Sequence, residues 1–446
     1  MQQKSKYITK LKENSHLLKN ISWVFTSSLI GNLLRFALVF IIIKFYSQEE
    51  FGLWASITSL AAVIVTGDFG FTNVLRNIVS IEIPRGEVGN QEAKQYFYSA
   101  LLFFLVVSTI ISIILLVFID FIPYQSFFKT DNEIIKLQGR QIFIAIQFIF
   151  LFNIPLGLGV PLFFSYGESK YYSIIVTTQS IITFLLILLL SLFHCAIYIL
   201  SISYFAINMV VSTLGTIIFL KKRGWLKNIF PLKTPIKRIK YMLRKGLQYL
   251  GVQLSSSFLQ NILTIYAGAL VGLNTAANIN LIQKIFTFFT SVYQSVFNPI
   301  WSELAKKYIN KQYTQCKQIV EKTTIITGVI YTLLIIFTTI CGDYIVKFTA
   351  TSEFQIEPRI FIMVGAFFMI KIIFDNLTLL QNATNQIHVI FLGYLIFDLF
   401  TIIFIPKITL LYGIDWLIIS SIICWFIFCI IVFINFRKIV SKQEIN

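Results

Sequence analysis

Two cations without a sequence-local partner and a set of carboxylates mark where this chain could do chemistry. Arg35 and Lys284 lie in long apolar stretches with no opposite charge one helical turn away. Lys371 and Asp375 are four residues apart and can pair on one helix face. Asp68, near the end of an apolar stretch, and Asp398 complete the six ionisable residues in such segments. A charge at the centre of a bilayer costs about 2.5–3.5 kcal/mol on insertion scales, so each should face protein or water. An unpaired cation in that setting gains most from a diphosphate. Arg35 and Lys284 are therefore the candidates for holding an anion. Asp375 and Asp398 are the candidates for binding a coupling proton or sodium ion, although Lys371 and Asp375 also make a structural pair.

Uncharged polar residues recur around these groups at spacings of three and four, which places them on one helix face. One stripe runs Ser27/Ser28, Gly31/Asn32, Arg35. A second runs Gln253, Ser256/Ser257, Gln260/Asn261, Thr264, and a third Asn280, Gln283/Lys284, Thr287, Thr290/Ser291, Gln294, Asn298. A weaker one holds Ser56, Ser59, Thr66 and Asp68. Small and polar residues also glue membrane helices together. Stripes that include Gln, Asn, Lys and Arg favour a wet cavity instead, with Arg35, Asn32, Lys284, Gln253, Gln260, Gln283 and Gln294 as its substrate-binding residues. No CxxC and no metal-ligand spacing occurs among the five cysteines and three histidines, so neither a metal site nor a cofactor is expected.

The elements that must position these residues are membrane helices. Of 446 residues 57% are hydrophobic and only 13% charged, against about 25% charged in a soluble domain. A span needs roughly 20 apolar residues, and residues 171–220 contain no Asp, Glu, Lys or Arg at all. The pattern predicts an all-α polytopic protein with twelve spans: 21–43, 51–69, 96–119, 139–163, 172–193, 196–220, 247–272, 277–301, 323–342, 359–381, 387–405 and 415–436. Residues 221–245 carry ten Lys/Arg and no acid. This segment divides the chain into an N-tail (1–20), an N-lobe (21–220), a basic linker (221–246), a C-lobe (247–436) and a C-tail (437–446). Six spans per half make the halves parallel repeats. The segment Asn153–Pro161, with Pro155, Gly157, Gly159 and Pro161, should interrupt the fourth helix and is a hinge candidate.

Loop charge sets the orientation. With the N-terminus inside, 27 of the 37 Lys and Arg fall on the inner side and 7 on the outer, counting Arg140 and Arg359 at span edges with the outer loops. Both termini are thus expected to be cytoplasmic, in a multi-pass protein of the cell (inner) membrane. The formal net charge of +17 then reflects topology and attraction to anionic lipid rather than nucleic-acid binding. The longest outer loops are too short to fold as domains, and no GxxxxGK[ST] is present, so ATP is not the direct energy source.

Three segments carry a family resemblance: FYSQEEFGLWASITSL at 45–60, GDFGFTNVLRN at 67–77 and NPIWSELAKKYINKQ at 298–312. With the twelve-span layout, they resemble the polysaccharide (O-antigen) flippases of the Wzx or RfbX type, in the multidrug/oligosaccharidyl-lipid/polysaccharide exporter superfamily. The resemblance implies a MATE-like fold. It also implies a flippase, not an enzyme, that moves undecaprenyl-diphosphate-linked oligosaccharide to the outer leaflet for O-antigen, lipopolysaccharide or capsule assembly. Its implied partners are that lipid-linked substrate, a polysaccharide polymerase and a chain-length regulator. A cationic cavity for diphosphate and sugar is implied too, which Arg35 and Lys284 would serve.

Two other readings stay open. An ion-coupled drug or metabolite antiporter of the same superfamily would share the fold, with a more hydrophobic or acidic chamber. A membrane glycosyltransferase or polymerase would need paired carboxylates near one face. Asp68 with Glu82 is the one inner-face possibility, and its spacing matches no carboxylate motif.

Overall fold

The computed structural model describes residues 26–64, 68, 70–118, 121, 129–227, 235–309, 311–349, 356–383 and 388–444; for some of them, 294–303 included, only the backbone is described. The expected N-tail, part of the basic linker and the turn at 384–387 lie outside these residues. Among them the chain is helical throughout. The helices are α1 (Thr26–Phe45), α2 (Gln48–Ile64), α3 (Phe71–Glu82), α4 (Gly86–Val117), α5 (Glu133–Gly157), α6 (Leu162–Ser165), α7 (Ser169–Leu192) and α8 (Ile197–Lys222). They continue with α9 (Pro235–Tyr266), α10 (Leu273–Ile309), α11 (Tyr313–Thr349), α12 (Pro358–Ala383), α13 (His388–Ile403), α14 (Ile405–Tyr412) and α15 (Ile414–Glu444).

Among the described residues, ten helical segments are long and apolar enough to cross a membrane. Two more expected spans correspond to α2, with 17 described residues, and to α10, whose polar stripe lowers its hydropathy. The fold is therefore an all-α polytopic membrane fold of about twelve spans. Large apolar side chains such as Ile113, Leu185, Leu333 and Leu399 point outward at more than half exposure, where lipid replaces a protein core. Two expected boundaries move. The connection after span two is the amphipathic helix α3, which buries Phe71, Val74, Leu75, Ile78 and Val79. The second half of the basic linker is also helical, because α9 starts at Pro235, where a missing N–H is harmless.

The chain forms two compact units that do not follow the chain-order halves. The first contains residues 1–38, 65–122 and 142–250; the second contains 39–64, 123–141 and 251–446. The first unit's core gathers Phe71, Phe97, Phe104, Phe163, Phe219 and Trp225 from α3, α4, α6, α8 and the linker. In the second unit, Phe286 stacks on Phe368 at 5.7 Å, and Trp425 meets Phe374 edge-on at 5.0 Å.

The second unit claims α2 because α2 and α10 touch backbone to backbone. A Cβ on Gly52 would lie 2.0 Å from the Leu273 carbonyl oxygen, so only glycine permits the approach. Phe51 and Trp54 flank it, buried and stacked at 5.7 Å. Ser47 and Glu50 form a capping box at the start of α2: the Ser47 N–H donates to Glu50 at 3.0 Å and the Glu50 N–H donates to Ser47 Oγ at 3.3 Å. Asp68 caps α3 in turn, accepting the N–H groups of Gly70 at 3.0 Å and Thr72 at 3.2 Å. Gly70 takes φ +68°, which glycine adopts without penalty.

Candidate functional site

The first unit holds a polar cleft of about 270 Å³ between α1 and α7. The α1 stripe supplies Ser27, Ser28, Gly31, Asn32 and Arg35, and α7 supplies Tyr172, Ser173, Val176 and Thr177. Gly31 lets the helices close here, since a Cβ would meet Ser180 Oγ at 3.3 Å. Thr177 Oγ1 donates to the Ser27 carbonyl at 3.2 Å and ties the two helices together. Arg35 also lines a second cavity of about 20 Å³ with Gln179, Ser180 and Thr183 of α7 and Tyr204 and Asn208 of α8. Its guanidinium carries the one full charge among the residues lining either cavity, and the side chain is exposed. Five donors fixed in a fork suit a phosphate oxygen pair, while the surrounding hydroxyls and amides suit sugar hydroxyls.

Sequence reading placed Arg35 and Asn32 in such a site and missed the α7 and α8 walls. The signal was present: Ser173, Thr177, Ser180 and Thr183 recur at helical spacing. It was hidden because residues 171–220 lack any charge.

The remaining predicted binding residues belong to the second unit, and they divide. Gln283 and Asn280 are buried within a hydrogen-bonded cluster that leaves Asn280 Oδ1 and Gln283 Nε2 without a hydrogen bond. Gln283 Oε1 accepts from Thr264, and Asn280 Nδ2 reaches Thr264 Oγ1 at 3.4 Å and Ser59 Oγ at 3.5 Å. Those contacts tie α10 to α2 and α9, the helix-gluing use of polar residues in membranes. Gln253, Gln260 and Lys284 are half-buried. The Gln294 side chain lies outside the described residues.

The acidic candidates also sit in the second unit. Lys371, buried on α12, donates to Asp375 Oδ2 at 2.9 Å, so this cation is neutralised within its own helix. Beside it is a closed ring that the sequence did not reveal. Thr327 donates to the Tyr293 hydroxyl at 2.5 Å, Tyr293 to Asn376 Oδ1 at 2.9 Å, and Asn376 Nδ2 to Thr327 at 3.0 Å. Asp398 on α13 accepts from Ser255 of α9 through Oδ2, leaving its buried Oδ1 without a hydrogen bond.

The interruption of the fourth span is present. Past Pro155, α5 ends at Gly157, and the turn to α6 runs on i→i−3 bonds such as Val160 N–H to Gly157 O at 3.2 Å. Its glycines have a packing reason. A Cβ on Gly159 would lie 2.8 Å from Thr216 of α8, and the Gly159 N–H donates to Thr216 Oγ1 at 3.1 Å. Pro161 precedes α6 as its N-cap residue. Among the described residues, no three His, Cys, Asp or Glu side chains gather as metal ligands would.

A sequence profile described as "Polysaccharide biosynthesis protein" matches residues 17–305, well over half of the chain. The chain belongs to that family. The match spans both motifs whose geometry is given above, the capped start of α2 and the capped start of α3. No curated protein matches the chain. Among solved structures it is similar to a multidrug resistance MATE family transporter of the MOP superfamily in an inward-facing conformation. That likeness has TM-score 0.67 and 16% identity over 93% of this chain and 99% of the other. An outward-facing structure of such a transporter gives TM-score 0.58 and 17% identity over 96% of each. A single-residue mutant of the Vibrio cholerae MATE transporter VcmN gives 0.61 and 15% identity over 96% of this chain and 98% of that one. The fold is thus that of the MATE transporters, and family and fold together make the chain a multi-pass membrane protein of the polysaccharide biosynthesis family.

Proposed function

We propose that this protein is an exporter, a flippase for undecaprenyl-diphosphate-linked oligosaccharide repeat units. It moves them from the inner to the outer leaflet of the cytoplasmic membrane for surface polysaccharide assembly, with both termini in the cytoplasm. The observation that carries the reading is Arg35, the one charged side chain in a cleft lined otherwise by hydroxyls, amides and a few apolar residues such as Leu34, Leu38 and Val176. A diphosphate needs the cation, sugars need neutral donors and acceptors, and the prenyl tail needs only the apolar exterior. Asn32, Gln179, Tyr204 and Asn208 would serve the headgroup beside Arg35, and Lys284 with Gln253 and Gln260 a further polar stretch in the second unit. The headgroup is exposed alternately to each side, and no bond is made or broken. A polymerase and a chain-length regulator would act on the delivered product.

The test is a leaflet assay in proteoliposomes carrying a short undecaprenyl-diphosphate oligosaccharide. Protein-dependent appearance of the glycan on the far leaflet is expected, reduced by Arg35→Ala and by Lys284→Ala. A second reading, an ion-coupled drug or metabolite antiporter, is favoured by the multidrug transporters that share the fold and by Asp398 with its unbonded oxygen. Exchange of a cationic drug under an ion gradient, with no movement of glycan, would establish that reading in place of the flippase.

A further inference from the structure

The linker between α8 and α9 is docked on the first unit, and the docking sorts its basic residues into two groups. One group is held by the protein. Lys222 and Arg223 contact Glu168 at 2.9 and 2.5 Å. Arg238, 10% exposed, contacts Glu92 at 2.9 Å and lies over the Tyr96 ring at 5.3 Å. Trp225 is buried, its indole N–H donating to Asn90 at 3.0 Å while its carbonyl accepts from Tyr98 at 2.9 Å. On α9, Arg238, Met242 and Gly246 are buried, and Ile239 and Leu243 pack beside Met242 on the core. Spacing of three and four puts these on one face, so the register of the helix is set.

That register turns Lys237, Lys240, Arg244 and Lys245 outward, all exposed. Among the described residues none of the four carries an ion pair. The nearby carboxylates are already taken, Glu92 by Arg238 and Glu82 by Arg85 at 2.8 Å. Large apolar side chains flank the basic stripe: Ile236 is 79% exposed, Leu247 54% and Tyr241 47%. Water alone does not favour this mixture. The same helix runs on into an apolar span from Gln253, so these turns lie where lipid headgroups begin.

We propose that the first four turns of α9 form a binding surface for anionic phospholipid headgroups. Lys237, Lys240 and Arg244 contact the phosphates, while Ile236, Tyr241 and Leu247 enter the acyl boundary. The exposed apolar flank selects a lipid over a soluble phosphate, because only a lipid offers both a charged head and an apolar layer to the same face. Bound lipid would fasten the linker helix to the membrane surface and steady the segment that joins α8 to α9.

The test uses the purified full chain in neutral detergent. Short-chain phosphatidylglycerol or phosphatidylcholine is titrated in, and the lipid concentration giving the half-maximal rise in unfolding temperature is read. Phosphatidylglycerol is expected to act and phosphatidylcholine not. The triple variant K237Q/K240Q/R244Q should weaken the effect about a hundredfold, at roughly a fivefold loss per charge near a membrane surface. K240Q alone should give a graded part of the loss, and 0.5 M salt should reduce the wild-type response by screening. A variant with equal charge removed elsewhere, K311Q/K322Q/K407Q, should respond as wild type. Equal responses to the two lipids, an unchanged response in the triple variant or an equal loss in the remote variant would each overturn the proposal. So would reproduction of the shift by inorganic phosphate alone, which would make this a soluble-anion site.

Discussion

Replacing Gly52 by alanine adds one methyl group and should disrupt the second unit. A Cβ at that position would sit 2.0 Å from the Leu273 oxygen and 2.5 Å from its carbonyl carbon, both backbone atoms. Relief requires α2 and the start of α10 to part by about 1.4 Å to reach an ordinary carbon–oxygen contact near 3.4 Å. The same movement would loosen the interlocked Phe51 and Trp54 and the bond from Gln48 to Asn278 at 2.7 Å. Overpacking of a tight interior costs typically 1–3 kcal/mol and more where backbone blocks the way, so about 3 kcal/mol is expected here. Gly328→Ala is the matched control, because nothing lies within 4 Å of a Cβ there. That change should be neutral, or stabilising by up to about 1 kcal/mol through helix propensity. The assay is thermal unfolding of both variants in the same detergent, with monodispersity on size exclusion as a second readout. Equal midpoints for the two variants would refute the claim that glycine is needed for the α2–α10 approach.

Three further outcomes follow from the same geometry. Asp68→Ala should cost about 1–2 kcal/mol by removing the cap of α3, while Asp68→Asn, which keeps the acceptor for the Gly70 N–H, should cost less; unfolding temperatures separate them. Lys371→Ala should destabilise more than the double variant Lys371→Ala/Asp375→Ala, since the single change strands a carboxylate that the double removes, and a double-mutant cycle of midpoints measures the coupling. Tyr293→Phe and Thr327→Val should each cost about 1 kcal/mol, with a combined loss smaller than their sum, because both open one hydrogen-bonded ring.

Much of this protein is written in its composition. Uncharged runs of twenty or more residues leave the backbone no option but helices across a membrane, because lipid offers no hydrogen bonds. The segments that hold the Ser47–Glu50 capping box and the Asp68 turn stood out in the sequence, but their caps, made by residues at most four apart, were not read there. Arg35 and Asn32 could be singled out for a local reason: polarity on one face of an otherwise apolar helix.

What the sequence left undecided depends on which helices meet. The stripe on α10 reads as cavity lining, and the fold adds contacts from Asn280 and Gln283 to Thr264 and Ser59, which come from α9 and α2. The stripe on α7 reads as nothing in particular, yet Thr177, Gln179 and Ser180 face Arg35 across a cleft. The ten basic residues of the linker look alike in the chain, but Glu92 and Glu168 single out three of them. Periodicity tells which residues share a face and how polar that face is. Whether the face meets another helix, an open cleft or lipid is settled by packing between segments remote in sequence, and packing alone decided it here.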